Sequence, residues 1–195
     1  LPNCWIAAGF IRNMVWDRLH QCINSPIASD VDVIWYDPSR PDADTDRDIE
    51  ALLRNTEPLI DWSVKNQARM HLRNNDAPYD SATDAMRHWP ETATAIAARR
   101  SGLAGCDISA PFGLKDLITL QLRPTPRFTS EKLPIYTARM QDKGWTTQWP
   151  GLRVVTDRDR DAEPFEGLGA VVRAAVAAGH RHAGLVHHAR DAAHA

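Results

Sequence analysis

The chain has 195 residues, 43% of them hydrophobic and 25% charged, with a formal net charge of -2. That balance suits one soluble globular domain with an appended segment. Its mean hydropathy of -0.42 and lack of a long apolar run exclude a membrane-spanning helix, and the near-neutral charge gives no overall pull toward nucleic acid or anionic lipid.

Residues 3–8 (NCWIAA) read as a short buried strand ended by Gly9. A helix follows from about Phe10 to His20, with Ile11, Met14, Val15 and Leu19 at helical spacing. Residues 21–29 form a loop marked by Asn24, Ser25 and Pro26. Residues 30–36 (DVDVIWY) form a strand. Alternation puts Asp30, Asp32, Ile34 and Tyr36 on one face, and Val31, Val33 and Trp35 on the other. An acidic stretch leads into a helix with Ile49, Leu52 and Leu53 inward.

Residues 62–72 alternate almost strictly and predict a strand, with Lys65, Gln67, Arg69 and His71 on its polar face and Asn66 on its apolar one. A short helix capped by Ser81, with Asp84 three residues on, ends near Trp89–Pro90. Residues 92–98 and 106–110 read as a hairpin, and Leu114, Leu117 and Ile118 as a helical face. A further helix over 131–143 is capped by Ser130 and stopped by Gly144. Trp145, Trp149 and Pro150 then anchor the chain back on the body. From Asp157 the chain is charged and then rich in alanine and histidine. This gives a domain over 1–156 and a flexible or loosely helical tail over 157–195, whose histidines read as solvent-exposed rather than metal-binding.

Cys4, Cys22 and Cys106 share no metal-type spacing and read as reduced thiols of a cytoplasmic protein. The start lacks the basic region of a secretory signal. It opens on Leu1 directly before a strand, so a shortened N-terminus is expected.

The chemistry concentrates in three places. Asp30 and Asp32 offer two hard carboxylates on one strand face. Magnesium takes one or two carboxylates plus substrate phosphates. The alternative is a solvated strand face. Gly9 and Arg12 open a helix at a strand–helix turn, where backbone amides and a guanidinium suit phosphate oxygens; an ordinary turn and a surface ion pair are the plainer readings. Lys65 could border a phosphate, and Asn66 is either a structural pin or a substrate-orienting amide. No Ser–His–Asp, HExxH or P-loop pattern is present.

The order GFIRN, DVDVIWYD, WSVKNQARMH, DAMRHWPETATA, APFGLKDL, RPTP, KGW and WPGL resembles a bacterial family of nucleotidyltransferase-like proteins within the polymerase-β-type superfamily. The resemblance covers roughly residues 1–155. It implies an α/β (α+β) polymerase-β-like nucleotidyltransferase fold, a small mixed sheet flanked by helices. It also implies a phosphate turn at Gly9 and two magnesium ions on Asp30 and Asp32. The activity implied is magnesium-dependent nucleotidyl transfer from an NTP to an unknown hydroxyl acceptor, whether small molecule, protein or RNA. The family pattern expects a small residue where Phe10 stands, and a third carboxylate on the neighbouring strand. Ser63 occupies that place, and Asp61 is the nearest acid. A non-catalytic nucleotide-binding or regulatory protein of the same fold is therefore the alternative.

Overall fold

The computed structural model describes residues 1–22, 30–102 and 105–155. Its centre is a mixed five-stranded sheet. The first strand, β1 (Trp5–Ala7), runs into helix α1 (Gly9–Leu19). Strand β2 (Val31–Trp35) lies antiparallel to β1, with Asp32 opposite Ala7. Helix α2 (Asp44–Thr56) then crosses to β3 (Trp62–Asn66), which is parallel to β2. Short helices α3 (Met70–Asn74) and α4 (Ala82–Met86) precede the antiparallel pair β4 (Ala97–Ser101) and β5 (Gly105–Ser109). The strand order is β3-β2-β1-β4-β5. Helix α5 (Lys115–Ile118), β6 (Gln121–Leu122), α6 (Leu133–Lys143), α7 (Trp145–Gln148) and β7 (Arg153–Val154) complete the described chain, with β6 and β7 as a separate parallel pair.

The alternation of β2 sorts two cores. Val31, Val33 and Trp35 pack with Leu53, Trp62 and Val64 on the face covered by α2. Ile34 joins Trp5, Ala7, Ala97 and Met86 on the opposite face. Helix α1 buries Phe10, Ile11, Val15 and Trp16. The predicted stripe included Met14 and Leu19, which are only partly buried, and passed over Trp16, which is fully buried. The Trp16 ring meets Trp145 and Trp149 edge-on at 5.8 and 5.1 Å. Those tryptophans anchor the C-terminal part of the described domain as the sequence indicates.

The outer edge of β3 is closed by carboxylates from α2. Glu50 Oε2 accepts the Val64 N–H at 3.1 Å. Asp46, buried at 2% exposure, accepts the Asn66 N–H at 3.0 Å and the Trp35 indole N–H at 2.6 Å, and pairs with Arg69. Covered edges do not recruit further strands.

Three predicted elements differ. The strand expected over 62–72 stops at Asn66, whose side-chain oxygen accepts the Ala68 N–H at 3.0 Å and starts a 3-10 turn. A local side-chain cap outcompetes the ladder there. The strand expected from 92 starts at Ala97. Before it, Ala95 N–H bonds Glu91 O at 3.1 Å in consecutive tight turns. Helix α6 begins at Leu133, with Lys132 rather than Ser130 at its cap. Gly144 ends that helix at φ 58, as its position suggested. The tail boundary near 157 and residues 157–195 lie outside the described residues. No described helix is long and apolar enough to cross a membrane.

Candidate active site

Asp32 stands in the middle of the sheet, in register with Ala7 on β1 and Ser63 on β3. Its carboxyl is pushed up to about 6, first by burial and then by Asp30, while the Ser63 hydroxyl, Lys65 and Arg12 act in the other direction. Asp30 is exposed just before β2. The two acids the sequence paired are therefore close enough to repel, and one of them is held out of bulk water.

Asp32 lines a cavity of about 440 Å³ on the β2 face. Ala8, Ile34, Lys65, Gln67 and Thr94 share this wall. Ala8 is the residue at the strand–helix turn with the unusual backbone, at φ 52 and ψ -123. Gly9 is the first residue of α1. The unusual backbone conformation of this turn thus falls on Ala8, one place before Gly9. The first turn of α1 carries no acidic residue and no side-chain cap. Of this N-terminus, the N-cap residue Ala8 lines the cavity, while Gly9, Phe10 and Ile11 are buried.

Arg12 lies one layer behind that wall. It is 4% exposed and donates to Thr94 Oγ1 at 3.0 Å. Its guanidinium sits 4.9 Å from the Trp16 ring and 4.2 Å from the Trp145 ring. Burial brings its pKa down to about 10, opposed by the charge of Glu91; it remains a cation at neutral pH. The surface ion pair weighed from sequence does not form: among the described residues Arg12 has no carboxylate at salt-bridge distance.

Lys65 Nζ lies 3.4 Å from Glu50 Oε2 and donates to Val64 O at 2.9 Å. Asn66 is fully buried, and its amide is saturated by the protein. It donates to Asp37 O and Arg40 O at 2.9 and 2.8 Å, and accepts from Asp37 N and Ala68 N at 3.2 and 3.0 Å. That is the structural-pin arrangement, fixing the chain after β2. Asp61 is exposed, with its carboxylate 3.5 Å from Arg54; its backbone oxygen accepts Val31 N at 2.8 Å. Glu91 is fully buried, with Oε1 2.6 Å from Arg139 Nε. Among the described residues no three His, Cys, Asp or Glu side chains gather as a metal cluster.

A nucleotidyltransferase family profile matches residues 1–154. The chain belongs to that nucleotidyltransferase family. A solved NMR structure, described as revealing a CCA-adding enzyme head domain, is 34% identical, with a TM-score of 0.70. The match covers 80% of this chain and 83% of that one. No protein of curated function matches the chain.

In this nucleotidyltransferase the cavity continues beyond the residues that the sequence singled out. Arg73, Asn74, His88, Lys132 and Arg139 line its remaining wall. Lys132 and Arg139 are seven residues apart, two helical turns, so their shared direction was available from spacing once α6 was placed. Arg73 and Asn74 lie just past the strand expected over 62–72 and stand at the end of α3 instead. Nothing local distinguishes His88, because its partners come from elsewhere in the chain.

Proposed function

We propose that the chain transfers a nucleoside monophosphate from a magnesium-bound NTP to a hydroxyl acceptor. The observation that carries this reading is Asp32: a semi-buried carboxylate acted on by a second acid, lining one cavity with Ala8, the N-cap residue of α1. Hard carboxylate oxygens crowded against each other fit divalent magnesium, whose charge removes the penalty of ionising both.

In this reading Asp30 and Asp32 hold two magnesium ions. Bound magnesium neutralises charge on the phosphates and lowers the pKa of the attacking hydroxyl. The first turn of α1, with Ala8 and Gly9, receives phosphate oxygens through backbone N–H groups. Arg12 supplies a buried positive field and fixes the Thr94 hydroxyl. Lys65 faces the same space from β3, and Asn66 holds the segment after β2 in place. The reaction class needs positioning and charge stabilisation more than covalent chemistry.

The test is thermal unfolding with magnesium and each NTP, followed by pyrophosphate release with candidate acceptors. A ligand at about 100 times its Kd stabilises by ~2.7 kcal/mol. Asp30→Asn and Asp32→Asn remove that shift; an intact shift in both variants defeats the metal assignment. The third-acid role of Asp61 requires its carboxylate to leave Arg54. Asp61→Asn therefore lowers turnover with the shift unchanged, and equal turnover excludes Asp61.

The second reading, nucleotide binding without transfer, is favoured by Ser63. It occupies the register position beside Asp32 where a third acid belongs, and offers a hydroxyl instead. Stabilisation by Mg–NTP with no pyrophosphate release across the panel selects it.

A further inference from the structure

Two separate groups of charges adjoin the cavity. The charges acting on Asp32 are those of Asp30, Lys65 and Arg12. The second group is organised by Asp76, whose side chain is 3% exposed. Arg127 Nε donates to Asp76 Oδ1 at 2.9 Å, and the Tyr79 hydroxyl donates to Oδ2 at 2.8 Å. Lys132 Nζ is 3.8 Å from Oδ1 and His88 Nδ1 is 3.4 Å from Oδ2. Burial alone would raise the Asp76 pKa, but Tyr79, Arg127, Lys132 and His88 hold it below the usual carboxylate range. One carboxylate thus carries two permanent cations and an imidazole.

The positive surplus faces the cavity. Lys132 and His88 line it, as do Asn74 and Arg73. Lys132 is held by a hydrogen bond to Asn74 O at 3.0 Å. The His88 ring stacks on Tyr79 with centroids 4.6 Å apart. Its Nδ1 is buried and has no hydrogen-bond partner at its present angle to Asp76. Arg73 has no carboxylate at salt-bridge distance among the described residues. Convergent cations oriented from below by a buried acid, with an amide beside them, match a compact polyanion. A nucleobase requires no such charge.

We propose that Arg73, Asn74, His88 and Lys132 form a phosphate-binding subsite in this cavity, distinct from the charges that act on Asp32. Its ligand is a terminal phosphate. Two sources share that chemistry: the distal phosphate of the donor NTP, or a phosphate carried by the hydroxyl acceptor. Assigning the phosphate to a transfer substrate rests on the preceding reading; the anion site itself does not.

The experiment is an NMR titration of the full-length isotope-labelled chain with inorganic phosphate, without divalent ions. Saturable shifts are expected in the roughly millimolar range, centred on Asn74 and His88. Arg73→Ala and Lys132→Ala each weaken binding about tenfold, the loss of one charge-assisted contact. Arg73 is exposed, so its variant keeps the fold and separates lost binding from lost structure. The absence of saturation, or equal affinity in both cation variants, overturns the proposal. Repeating the titration with saturating magnesium and a non-hydrolysable NTP assigns the source. Competition assigns the phosphate to the donor, and simultaneous binding assigns it to the acceptor; both outcomes support the subsite. Phosphate binding without any Mg–NTP binding retains the subsite and rejects the transfer reading.

Discussion

At the scale of single residues, the site is built by withholding compensation. Asp32 is drawn out of water and has a like charge for a neighbour, against one hydroxyl partner, so its carboxyl is raised from 3.8 to about 6. The folded state therefore holds a proton more tightly than the unfolded chain. The stability this confers is complete below the unfolded value and is lost as pH rises through about 6. A shift of that size corresponds to at most about 3 kcal/mol. Metal-free protein is thus expected to unfold at lower temperature at pH 8 than at pH 5 through this group. Asp32→Asn reduces the difference, which melting curves of both proteins at the two pH values measure. Asn66 is the opposite case, with every amide capacity satisfied internally. A sequence marks both residues as polar in a strand. Only their surroundings separate an unmet charge from a saturated pin.

At the scale of elements, α2 does more than cover the sheet with Leu53. It turns Asp46 and Glu50 onto the open edge of β3. Asp46→Ala strands the Trp35 and Asn66 N–H groups and the Arg69 charge, and is expected to cost about 3–5 kcal/mol, read from denaturant midpoints. The junction of α6 and α7 turns on Gly144 at φ 58, where an added Cβ meets no atom within 4 Å. Gly144→Ala is therefore disfavoured by backbone strain alone, about 1–2 kcal/mol. The same measurement checks it, with Mg–NTP binding unchanged. The stop at Gly144 located the end of α6, while α7 was not foreseen; periodicity located α2 and the β2 alternation. It failed on β3 because the alternating pattern of residues 67–72 continues past the point where Asn66 caps the chain. The sequence allowed Arg12 as a phosphate ligand or, more plainly, a surface ion pair; the surface alternative fails because Trp16 and Trp145 bury the guanidinium.

At the scale of the whole molecule, the C-terminal turn of the described domain closes the fold onto α1. Trp149 packs on Trp16 and donates to Asp17 Oδ1 at 2.8 Å. The Gly151 N–H bonds His20 Nε2 at 3.0 Å. These contacts join segments more than a hundred residues apart in sequence. Trp149→Ala is expected to remove about 3–5 kcal/mol and to shift the unfolding transition of the sheet domain as a unit. Calorimetry tests this: a separate low-temperature transition with the main one unmoved contradicts it. The sequence by itself determined the nucleotidyltransferase membership, the mixed sheet and the faces of β2, because strand alternation and the motif order are local properties of the chain. It also shows a serine, Ser63, at the place where the family resemblance leads one to expect a third acid. Tertiary structure alone decided that Ala8 occupies the strained turn and that Arg12 stands behind Thr94. It also decided that Asp76 gathers Lys132 and His88 at the cavity that Asp32 lines. Each of these depends on distant segments meeting under burial, and burial determines which charges are neutralised and which remain available to a ligand.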